Sequence, residues 1–268
     1  MRKTQLWRGL LAITSAGIAV VTVSCGDSAL LGHSLPAWLP WREAWVYGWA
    51  LVVLAASVGL CFGRTAAVSA LMIIAYYAVW AVTCVPTIAS APLSIGAWYG
   101  FCEAVSSLVG PWILYIALRR RSPESEFPGV GLHAVRLARV LFGLTCIFYG
   151  WSHFAYAQYT AGMVPGWLPD RLGWAYFTGF AHIAAGVGIA LGVLPRLASL
   201  LEAIMMTLFG LLVWVPSFFM QPRPAWAALP QVQWSELVLT LVLAVSGWVV
   251  YGTTAPRLPR ATQPESPP

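Results

Sequence analysis

The chain has 268 residues, of which 59% are hydrophobic and only 9% charged, with a formal net charge of +6. So few charges cannot solvate the surface of a water-soluble domain this large, which excludes that class. The basic residues sit beside apolar runs instead of forming one patch, so the positive balance does not indicate nucleic acid as a partner.

A helix needs about 20 mostly apolar residues to cross about 30 Å of hydrocarbon. Eight runs meet that requirement: 6–25, 44–62, 66–85, 99–118, 137–157, 174–194, 197–215 and 234–251. Backbone amides cannot stay unsatisfied in lipid, so the runs are read as helices. Trp7, Trp45, Trp98, Trp174, Trp234 and Trp248 lie near their ends, where an amphipathic ring suits the membrane interface. The lipid bilayer is thus the first expected partner.

The first run follows Arg2-Lys3 and ends at Val23-Ser24-Cys25-Gly26, which resembles a lipoprotein signal with its cleavage site. Thr22 suits the third position before the cysteine poorly, so a retained first helix is expected. The second run follows the loop Pro36-Ala37-Trp38-Leu39-Pro40, and the third ends at Pro86. Pro111 lies inside the fourth run and is expected to kink it. Residues 1–121 form a first four-helix repeat, 122–133 a cytoplasmic linker, 134–252 a second repeat, and 253–268 a Pro-rich disordered tail.

In the fifth run Gly143, Cys146, Gly150, His153 and Ala157 are spaced by 3, 4, 3 and 4, which is one helix face. Gly179, His182 and Gly186 repeat the pattern in the sixth. Small residues mark close helix contact in lipid, so both histidines are expected to face the bundle, about 6–12 Å from the outer boundary. The seventh run carries Glu202, expected near the cytoplasmic end with Arg196 or Arg139. Glu236 opens the eighth, on one face with Thr240 and Gly247.

The chain repeats itself. Pro36-Ala37-Trp38-Leu39-Pro40 reappears as Pro165-Gly166-Trp167-Leu168-Pro169, a shift of 165 − 36 = 129. Arg42 then meets Arg171 and Tyr47 meets Tyr176; after a small insertion Glu103 meets Glu236. The fold expected is an all-α membrane protein with eight transmembrane helices as two parallel four-helix repeats. Twelve basic residues fall on one side of this plan, and only Arg42, Arg171 and Arg223 on the other. That bias puts both termini in the cytoplasm of a cell (inner) membrane protein and both Trp-Leu-Pro loops outside.

An ionisable group within the membrane costs at least a few kcal/mol on insertion scales, so its retention suggests a purpose. His153, His182 and Glu236 are the candidates for binding a ligand or handling protons. At the repeat shift His153 corresponds to Ser24 and His182 to Val53, which places any chemistry in the second half. Glu103, Arg171, Arg42, Trp167 and Tyr176 are read as supporting or structural. The competing reading makes the histidines helix-to-helix hydrogen bonds and the glutamates capping or ion-paired residues. No local ligand spacing supports zinc, and none is expected. A haem between His153 and His182 is conceivable but equally unsupported. The five cysteines show no C-x-x-C spacing, and buried apolar thiols are expected over a disulfide among Cys25, Cys84 and Cys102.

Residues 136–251 resemble the DoxX-like family of small four-helix membrane proteins. The residues that carry this are Gly150-Trp-Ser-His153-Phe154, Val164-Pro-Gly-Trp-Leu-Pro169, Thr178-Gly179-Phe-Ala-His182, Arg196-Leu-Ala198 and Val215-Pro216. Similar proteins usually carry a glutamate where His182 stands. The resemblance implies the fold more than a reaction.

Three readings follow. One is an accessory or small-molecule-handling membrane component. The second is a membrane subunit of a quinone-linked oxidoreductase with a membrane or peripheral redox partner, in which His153 and His182 donate to quinone oxygens and Glu236 relays protons. The third is a small-molecule transporter.

Overall fold

A computed structural model describes residues 2–26, 40–119 and 128–254. The first Trp-Leu-Pro loop, most of the expected linker and nearly all of the expected tail lie outside these residues.

Eleven α-helices are present among the described residues: α1 (Arg2–Cys25), α2 (Arg42–Cys61), α3 (Ala66–Thr83), α4 (Val85–Ser90), α5 (Ile95–Arg119), α6 (Pro128–Ala155), α7 (Ala157–Met163), α8 (Arg171–Leu191), α9 (Pro195–Phe209), α10 (Val215–Ser217) and α11 (Pro230–Thr253). The short α4 continues α3, and a π-helical turn, Gly210–Trp214, joins α9 to α10. This gives eight helices long and apolar enough to cross a membrane, each within a few residues of a run seen in the sequence.

One expectation is corrected. Residues 128–133 are not linker but the first turns of α6, which starts at Pro128, where the fixed φ of proline suits a helix start. Pro111 lies inside α5, which continues past it from Ile95 to Arg119. Pro216 acts differently. Its missing N–H and its ring disturb the preceding turn, and the chain widens into the π turn just before it.

The packing order is simple. α1 lies on α2, α2 on α3 and α3 on α5; α6 lies on α8, α8 on α9 and α9 on α11. Across the two groups α5 packs against both α6 and α11, and α1 packs against α11. α3 buries Tyr76, Tyr77 and Trp80, whose rings touch one another. The five cysteines form no disulfide, and Cys84, Cys102 and Cys146 are buried.

The α6–α8 seam is closest. A Cβ on Gly143 would lie 2.6 Å from the Gly186 carbonyl oxygen and 2.8 Å from Ala190 N. One on Gly150 would press on the Gly179 carbonyl and sit 2.9 Å from Ile183 N. Hydrophobic burial cannot drive helices together in lipid, so this backbone-to-backbone contact is what holds α6 and α8.

At one end of the bundle, basic residues close the helices. Arg8 Nε donates to Leu60 O at 2.7 Å, and Arg196 donates to the Tyr251 hydroxyl at 2.9 Å while lying over its ring. At the opposite end α7 and a 3-10 turn, Ala225–Ala227, lie against each other, joined by Trp226 Nε1 donating to Gly162 O at 3.0 Å.

Candidate functional site

The small-residue seam sets the histidines. With Gly150 against Gly179, His153 on α6 and His182 on α8 are carried to the same side of the seam. Their rings meet edge to face, with centroids 5.1 Å apart. The Phe209 ring on α9 stacks on His153 and stands edge-on to His182.

These rings wall a cavity of about 110 Å³, lined also by Tyr99, Glu103, Tyr149, Met206, Glu236, Leu239, Thr240 and Leu243. All three candidate residues, His153, His182 and Glu236, therefore share one cavity. Glu103 joins them. The sequence suggests an architectural role, but Glu103 is buried and lines the same space as Glu236. The reason is the packing of α5 against α11, which sets the two glutamate-bearing faces beside one cavity. The site is therefore not confined to the second half: α5 supplies Tyr99 and Glu103.

The other supporting candidates lie elsewhere. Arg171 is exposed and its guanidinium lies beside Gly166. Trp167 is exposed, Tyr176 stacks on Phe154, and Arg42 stands at the start of α2; none of the four lines the cavity. Among the described residues no ion pair joins Glu103 or Glu236 to Arg171 or Arg223.

His182 lies 182 − 171 = 11 residues into α8, about 16 Å along the axis from its start, near the middle of the helix. It is 1% exposed, and its Nδ1 lies 2.9 Å from Glu202 Oε1. Glu202, equally buried, thus pairs with His182 and not with Arg196 or Arg139. Arg196 is engaged with Tyr251, and Arg139 lies beside Gly192. The second Glu202 oxygen is buried without a hydrogen bond. Sequence reasoning missed this pair, although a signal existed. His182 lies 191 − 182 = 9 residues before the end of α8 and Glu202 lies 202 − 195 = 7 after the start of α9. Antiparallel neighbours at similar distances from a short turn share a depth.

Hydroxyl relays surround the cavity. His153 Nδ1 is 2.9 Å from Thr178 Oγ1, which itself donates to Trp174 O at 2.9 Å. The Tyr149 hydroxyl lies 2.8 Å from Ser106 Oγ, which donates to Cys102 O at 2.8 Å. The Tyr99 hydroxyl lies 2.8 Å from Ser152 Oγ, which donates to Tyr149 O at 2.7 Å. Each serine or threonine spends its proton on its own helix, so it accepts from the ring that faces it.

Among the described residues no three His, Cys, Asp or Glu side chains are placed to hold a metal ion. The His153 and His182 rings touch edge to face, which leaves no space for a haem macrocycle between them in this arrangement.

Residues 142–251 match a family described as "Domain of unknown function (DUF8561)", a stretch that is less than half of the chain and runs from within α6 to within α11. No curated protein and no solved structure matches the chain. The matched stretch contains His153, His182, Glu202 and Glu236 but not Tyr99 or Glu103.

Proposed function

We propose that this is a multi-pass membrane protein that binds a small molecule in the cavity between α5, α6, α8, α9 and α11, as an accessory or small-molecule-handling component. One observation carries the reading. Five ionisable side chains on five different helices, Glu103, His153, His182, Glu202 and Glu236, gather at one place inside an otherwise apolar bundle. Each is costly within a membrane, and helix packing alone would not bring them together.

The finer reading is a cell (inner) membrane protein with both termini in the cytoplasm, supported by the clustering of Arg8, Arg64, Arg119, Arg136, Arg139 and Arg196 at one end of the bundle. Two four-helix repeats of DoxX-like type are supported by the matching order of helix contacts in the two groups and by the paired positions of Glu103 and Glu236.

A quinone-linked role, with a redox partner, has one observation in its favour: the chain of aromatic rings Phe148, Tyr149, His182, Phe209 and His153 beside the cavity. It needs one change. In the tautomer that donates from Nδ1 to Thr178, neutral His153 can accept from a quinol hydroxyl but cannot donate to a quinone carbonyl. A transporter role draws support from the mid-helix depth of His182.

The test is purification in mild detergent followed by mass spectrometry of bound small molecules and proteins. A molecule retained by the natural chain and lost from His153→Ala and Glu236→Gln, both still folded, is the expected result. Retention by both variants would falsify the assignment of the cavity.

A further inference from the structure

The polarity of the cavity narrows what it can hold. Tyr99 donates to Ser152, Tyr149 donates to Ser106 and His153 donates through Nδ1 to Thr178; in each case the accepting hydroxyl has its own proton on a backbone carbonyl of its helix. Three protons that would otherwise point at a ligand are turned away. The lining residues belong to helix interiors, where backbone N–H groups are already bonded. No lysine or arginine lines the space.

What remains is acceptors. His153 keeps the Nε2 lone pair. The carboxyl groups of Glu103 and Glu236 line the cavity; each is an acceptor when ionised, and no hydrogen bond from another described residue satisfies either one. Glu103 is 9% exposed, which makes it a nine-tenths-buried carboxyl without a donor. Only His182 Nε2 and the Thr240 hydroxyl have roles that this pattern leaves open. A ligand that brings donors supplies these oxygens with the partners they lack among the described residues. The rings of Phe209, Tyr99 and Tyr149 line the same space.

We propose that the cavity binds a small protonated amine, a primary ammonium head on a short apolar stem. The head gives its N–H groups to Glu103, Glu236 and His153 Nε2, and the stem lies against Met206, Phe209 and Leu239. The volume of about 110 Å³ sets the size: an apolar cavity of about 150 Å³ holds benzene, so a ligand of only a few heavy atoms fits here. This inference rests on the reading of the cavity as a ligand site.

The experiment uses the full chain in mild detergent and phosphate buffer, with ethylammonium, ethanol, acetate and a short-chain ubiquinol as probes. Binding is read by calorimetry and by the rise in melting temperature. Ethylammonium is expected to bind, and ethanol and acetate are not. Glu103→Gln and Glu236→Gln should each weaken ethylammonium about 10- to 100-fold, the usual effect of losing a charge-assisted hydrogen bond. Their melting temperatures without ligand show whether they are folded. If either fails to fold, Leu239→Trp, which narrows the cavity without touching the carboxylates, should abolish binding. If ubiquinol binds and ethylammonium does not, the cavity remains a ligand site and the amine assignment is overturned. If ethylammonium binds the natural chain and both glutamine variants equally, the assignment is also overturned. If no probe binds, the amine proposal falls, and the retained-molecule experiment still decides the wider reading by itself.

Discussion

Glu202 Oε1 stands 2.9 Å from His182 Nδ1, joining α8 to α9 in the dry middle of the second four-helix group. Each side chain is 1% exposed, so neither has water to fall back on. Breaking a buried pair by removing one partner costs about 3–5 kcal/mol, because the other is left uncompensated. His182→Ala and Glu202→Ala should therefore each destabilise strongly, and the double variant should cost less than their sum. Unfolding by denaturant in detergent measures the cycle. Additive losses would show that the two do not form a unit.

Gly150 faces backbone atoms and has no space for a side chain. A Cβ there would sit 2.9 Å from Ile183 N and also press on the Gly179 carbonyl. Gly150→Leu should cost about 1–3 kcal/mol or more by forcing α6 and α8 apart. Leu144→Phe, on an exposed position of the same helix, should change little. Equal melting shifts for the two would mean that the seam lies elsewhere.

Tyr149 and Tyr99 bond across the same helix pair in opposite directions, α6 to α5 through Ser106 and α5 to α6 through Ser152. Tyr149→Phe and Tyr99→Phe should each cost about 0.5–1.5 kcal/mol, the worth of one hydrogen bond. Both should loosen α5 from α6, detectable as faster amide exchange along those two helices. Unchanged exchange in either variant would remove that bond from the account of how Glu103 is held.

Leu93 is 98% exposed in the turn before α5, and Gly63 lies in the turn between α2 and α3, at opposite ends of the bundle. With Cys61 replaced by alanine, a cysteine at Leu93 should react with an impermeant reagent in intact cells. One at Gly63 should react only after the membrane is opened. The reverse pattern would invert the assignment drawn from the basic residues.

Much of the fold was legible in the chain because lipid imposes a simple rule. A run of about 20 apolar residues must be a helix, so the eight spans could be counted from hydropathy alone. The small-residue faces were legible for a related reason: Gly143, Gly150, Gly179 and Gly186 recur at helical spacing, and close approach is the chief contact glycine offers in lipid. The boundaries were less legible. Helix α6 begins at Pro128, inside what polar composition suggested was linker, because a helix extends into the interface where composition no longer decides.

The sequence by itself determined the class, the number of spans and the face of each helix that carries a histidine or glutamate. Only the tertiary structure decided which of those faces meet. Periodicity reports how a side chain points relative to its own axis, whereas the choice of neighbour depends on packing between helices far apart in the chain. That is why the chain suggests a nearby arginine for Glu202, which pairs with His182, and a scaffold role for Glu103, which lines the cavity. It is also why the direction of each proton, set by hydroxyls on Ser106, Ser152 and Thr178, could be seen only once α5, α6 and α8 were side by side.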